Sequence, residues 1–111
     1  MWKLRKRRSL SPAVRMRLAR AWQIASAQTD RHRRLLDCEK VVEQALTEAG
    51  FQGSFSEKLQ RAGPRFQNIQ SLWEAHKLRN RIAHEVGVQL SEQETARAAR
   101  AFERALKDLG V

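Results

Sequence analysis

Apolar residues return along this chain three and four positions apart, and no Val/Ile/Thr run of strand length alternates apolar with polar. That spacing places them on one stripe of a helix, whereas one face of a sheet needs a period of two. The residues between them point the same way. Ala, Leu, Arg, Glu and Gln dominate, all of them good helix formers, and β-branched residues are sparse. The chain therefore predicts an all-α fold.

Start and stop signals divide the pattern. Ser11 as N-cap and Pro12 at the first helical position open a helix to about Gln28, with Val14, Leu18, Ala21 and Ala25 at heptad-like spacing, flanked by Trp22 and Ile24. Thr29-Asp30 caps a second helix from Arg31 to about Ala49, which carries Leu35, Cys38, Val42, Ala45, Leu46 and Ala49 on one stripe. Gly50 suits the left-handed position that ends it. "GFQGSF" reads as a loop whose two Phe tuck under the bundle, and a short helix over Ser56 to Ala62 stops at Gly63-Pro64. A fourth helix is expected from near Phe66 to about Glu85. After the connector "VGVQL", Ser91 and Glu94 form a capping box for a last helix bearing Ala98, Ala99, Phe102, Leu106 and Leu109. Four long helices, one short helix and tight connections predict an up-and-down bundle of four to five helices over residues 11–111. A chain of 111 residues holds one such domain and one modest core.

The charge is uneven. The net charge is +10, yet residues 35–111 balance eleven Lys/Arg against eleven acids, so the whole excess lies in residues 1–34, where Asp30 is the only acid. Residues 1–10 form a basic lead-in, expected to be flexible, with Lys3, Arg5, Lys6, Arg7 and Arg8 as the candidate binding residues. Unneutralised cations there suit a polyanion, either nucleic acid or an anionic membrane surface. A second basic stripe, Arg97, Arg100, Arg104 and Lys107, reads as a solvated helix face or as a phosphate track.

Several classes are excluded. One cysteine cannot make an internal disulfide, and its place on the apolar stripe makes Cys38 a small buried hydrophobe. Three scattered His and one Cys make no closed metal site, so no metal or other cofactor is expected. No apolar run reaches membrane-spanning length and no signal-peptide core follows the basic start, which predicts a cytoplasmic-type protein, or a membrane-associated one if the chain is a fragment of a longer anchored protein.

The stretch "AHKLRNRIAHEVG" breaks the bland pattern. At about 100° per residue, Ile69, Leu72, Trp73, Ala75, Ile82, Ala83 and Val86 share a broad arc, opposite Gln70, Glu74, Lys77 and Arg81. His76, Arg79, Asn80 and His84 fall inside that apolar arc. His76, Asn80 and His84 stack at i, i+4 and i+8. Polar groups facing a core cost about 1–3 kcal/mol each unless they find partners, so these four are either an internal network or a site opening at a cleft or subunit interface.

"RNRIAH", Arg79 to His84, resembles the R-x4–6-H motif of the HEPN superfamily of small α-helical bundles, in the variant with a polar residue, here Asn80, after the Arg. Its position late in the penultimate long helix of a bundle this size extends the resemblance to about residues 12–110. The resemblance implies a metal-independent RNase acting as a homodimer, of toxin or defence type, with RNA as substrate and a cognate antitoxin as a possible partner. On that reading His84 is the general base or acid for attack of a ribose 2′-hydroxyl on the adjacent phosphate. Arg79 holds the phosphate, and Asn80 orients His84 or donates to the phosphate. His76 lies outside the motif and is expected to be structural, as a partner of Asn80 or as an N–H donor to a carbonyl. The alternative is a non-catalytic HEPN-like dimerisation module in which the same cluster is structural and the basic arm does the docking. The breadth of the apolar arc also favours a symmetric dimer.

Overall fold

The computed structural model describes residues 9–111, which form five α-helices and one short 310 turn, with no strand among them. The helices are α1 (Pro12–Ser26), α2 (Arg31–Glu48), α3 (Phe55–Ala62), α4 (Ile69–His84) and α5 (Glu92–Asp108). Lys3, Arg5, Lys6, Arg7 and Arg8 lie outside the described residues. Leu10 is buried, so the packed part of the chain begins one residue before the Ser11 cap.

The helices start where side chains take up their free backbone N–H groups. Ser11 Oγ accepts from Val14 N at 3.2 Å, and Asp30 Oδ1 accepts from His32 N at 3.0 Å. At α5 the expected capping box is closed from both sides: Ser91 Oγ accepts from Glu94 N, and Glu94 accepts from Ser91 N. Two starts differ from the sequence expectation for one reason, a nearby cap. A second capping box, Ser54 with Glu57, starts α3 at Phe55 rather than Ser56. Asn68 Oδ1 takes the Ser71 N–H and delays α4 from Phe66 to Ile69, which leaves Phe66 free to turn into the core.

Polar contacts fix the helix directions. Arg17, near the start of α1, pairs with Glu48 at the end of α2, so these two run antiparallel. The Gln67 N–H, just before α4, donates to Asp108 at the end of α5, so α4 and α5 are also antiparallel. Arg31 and Arg34 in the first turns of α2 both reach Glu92 at the start of α5, which makes α2 and α5 parallel. It follows that α2 and α4 are antiparallel. Helix α2 is the central element, packing against α1, α3, α4 and α5, whereas α1 packs mainly on α2.

The core is the stripe of α2 (Leu35, Cys38, Val42, Ala45, Leu46, Ala49) closed by Leu18, Leu59, Leu72, Phe102 and Leu106. Phe51 of the loop and Phe55, the first residue of α3, are buried beneath it. Cys38 is fully buried, and desolvation pushes its thiol pKa from 9.0 up to about 12. Because the folded value lies above the unfolded one, this group's contribution to stability is whole below pH 9 and is lost as pH rises toward 12. Native protein is thus expected to resist an aromatic disulfide reagent at pH 8, with one thiol reacting at once in denaturant. Rapid labelling of the native protein would contradict this burial.

Candidate functional site

The polar residues of α4 divide into a buried group and an exposed one. His76 is turned against α2, where its Nδ1 lies 2.6 Å from Oε2 of the buried Glu39. That contact assigns a proton to Nδ1, which donates to the carboxylate. The other ring nitrogen, Nε2, is 3.3 Å from the Asn80 amide and 3.4 Å from Ser56 Oγ on α3. Both can donate to it. The Phe55 ring lies against the imidazole at a centroid distance of 4.7 Å, and Trp73 meets it edge-on at 6.1 Å. Three helices therefore fix one imidazole.

Arg79 approaches the same carboxylate. Its Nε is 3.1 Å from Glu39 Oε1, and Nη1 donates to Asn80 Oδ1 at 3.2 Å. The Nε contact is ionic only: the N–H direction misses the carboxylate oxygen, and this buried donor has no hydrogen-bond acceptor. An unmade buried hydrogen bond costs on the order of 1–3 kcal/mol. The guanidinium is thus held by charge more than by directed bonds, and its side chain stays 29% exposed.

His84 stands apart. It is the last residue of α4, exposed, and its side chain makes no hydrogen bond or ion pair with another described residue. The expectation that it stacks with His76 and Asn80 on a core-facing arc is corrected by burial. The arc is buried at Leu72, Ala75 and His76, half-buried at Ile82, and open at Ala83, His84 and Val86. The core ends before the helix does, so helical phase alone overstates how far the apolar face is covered. On a regular helix Arg79 and His84 are roughly 140° apart.

The end of α4 is nevertheless anchored. Past Glu85 the connector turns at Gly87, whose φ of +78° favours a residue without a Cβ. The first turn of α2 then grips it: His32 Nε2 donates to Val88 O at 2.7 Å, and Arg31 donates to Leu90 O at 2.9 Å. The Arg34 and Arg31 guanidiniums hold the Glu92 carboxyl below its usual pKa.

Sequence reasoning thus identified Arg79, Asn80 and His76, which the fold brings together, and His84, which it does not join to them. It missed Glu39, Ser56 and His32. Glu39 carried a readable signal: it sits four residues after Leu35 and three before Val42, within the apolar stripe of α2. Ser56 and His32 carried none, because their partners lie twenty and fifty-six residues away. Arg97, Arg100, Arg104 and Lys107 are exposed along α5 as a solvated face. Among the described residues no three His, Cys, Asp or Glu side chains converge on a metal position, and no helix is long and apolar enough to cross a membrane. No family model, curated protein or solved structure matches this chain.

Proposed function

We propose that this chain is a HEPN-like domain that cleaves RNA as a homodimer without a metal ion. The observation that carries the reading is His84: an unpaired, exposed imidazole at the end of a helix, five residues after an arginine with a free guanidinium edge. An ordinary imidazole titrates near pH 6.5 and can serve as base or acid at neutral pH. On this reading His84 takes the proton of a ribose 2′-hydroxyl, and the 2′-oxygen attacks the adjacent phosphorus. The bond to the 5′-oxygen breaks, and an imidazolium, supplied by the second copy's motif, returns a proton to it. Arg79 offsets charge on the phosphoryl oxygens as they crowd together. The Glu39–His76–Asn80 cluster holds the base of the arginine in place.

A second reading is favoured by one contact. Arg79 is drawn to Glu39 and tied to Asn80, as a purely structural network would have it. The domain would then be a non-catalytic dimerisation module.

Product chemistry separates the two. The catalytic reading predicts cleavage of single-stranded RNA in EDTA, leaving 2′,3′-cyclic phosphate and 5′-hydroxyl ends, by a species that sediments as a dimer. An intact substrate after prolonged incubation, or 3′-hydroxyl ends that vanish with EDTA, would count against it.

A further inference from the structure

The described residues expose three large apolar side chains, and two of them share one face of α1. Met16 is 63% and Ile24 62% exposed. With Arg20 between them they follow at i, i+4 and i+8, along one line of the helix that points away from α2. The opposite face does the packing, through buried Leu18 and Ala25 and half-buried Val14 and Ala21. Helix α1 carries no acid. Of its three arginines, Arg17 pairs with Glu48, while Arg15 and Arg20 are exposed and make no ion pair with another described residue. By helical phase Arg20 shares the face of Met16 and Ile24, whereas Arg15 falls on the opposite side of the helix from Ile24, so the outward face offers apolar surface and one unneutralised arginine.

That combination discriminates between polyanions. Nucleic-acid phosphates reward Arg20 but leave Met16 and Ile24 in water. A negatively charged bilayer accepts both: an amphipathic helix lying in the interface buries its apolar side chains at the headgroup–acyl boundary, while long basic side chains reach up to the phosphates. A second copy of the chain would meet Arg20 with like charge. We propose that the outward face of α1 docks this domain on an anionic lipid surface, with Met16 and Ile24 inserted and Arg20 on a headgroup phosphate. The five basic residues of positions 1–8 add to the same charge.

The full chain is co-sedimented with vesicles of phosphatidylcholine and phosphatidylglycerol in equal parts, and with phosphatidylcholine alone. Binding is expected only to the anionic vesicles, weakening with salt. The pair Met16→Ser and Ile24→Ser should lower the partition coefficient about tenfold, since each exposed side chain is worth a fraction of a full apolar burial. Arg20→Gln should lower it about fivefold. All three positions are exposed, so circular dichroism should be unchanged. Anionic-vesicle binding that the serine pair leaves intact would overturn the proposal, because charge alone would then suffice. It would equally be overturned by no vesicle binding at all, with or without binding to an RNA oligonucleotide, or by a serine pair that changes the sedimenting mass of the free protein and not its partition.

Discussion

Glu39→Ala is expected to cost about 3–5 kcal/mol of stability, the range for removing one partner of a buried ionic pair. The carboxylate is 5% exposed, and its two oxygens lie against His76 and Arg79. Without it the Nδ1–H of His76 has no acceptor in an apolar pocket formed with Phe55, and the Arg79 guanidinium loses its counter-charge. A domain near this size shifts its melting temperature by about 4–8 °C per kcal/mol, so a fall of more than about 10 °C is expected. Glu39→Gln keeps the shape and one acceptor and should lose less. Urea unfolding of the three proteins measures this directly. A Glu39→Ala variant within about 1 kcal/mol of the parent, the scale of an exposed pair, would show that the cluster is not what joins α2 to α4.

Substitutions at the two histidines of α4 should separate rate from stability. His84→Ala is expected to lower RNA cleavage by about 100- to 10,000-fold, the usual contribution of one general acid or base. Its melting temperature should barely move, because an exposed side chain without partners contributes within about 0.5 kcal/mol. His76→Ala should do the reverse in emphasis. It removes the donor to Glu39 and the ring under Phe55, so the bundle weakens, and activity falls only as far as Arg79 and Asn80 are displaced. Arg79→Ala should do both, since its guanidinium serves Glu39 as well as the proposed phosphate. Equal losses of stability for all three would favour the structural module instead.

Much of the architecture was legible because it is locally encoded. Ser11-Pro12, Asp30 and the Ser91–Glu94 box act on backbone groups within three residues, so their effect could be read in place. The buried stripe of α2 followed from period alone. Where reading failed, the deciding partner was near but unnoticed, as at Ser54 and Asn68, or the core simply stopped, as at His84 and Val86. The candidate site was legible only along α4. Its anchor, Glu39, belongs to another helix thirty-seven residues earlier, and only the antiparallel meeting of α2 with α4 puts that carboxylate beneath His76 and Arg79.

The most direct measurement is single-turnover cleavage of a 5′-labelled single-stranded RNA by wild-type protein and by His84→Ala, in EDTA, with both preparations shown to be equally helical. The account predicts that the wild type cuts and that His84→Ala does not. A wild type that cuts while His84→Ala cuts equally well would contradict the assignment of His84, and a wild type that leaves the RNA whole would contradict cleavage itself.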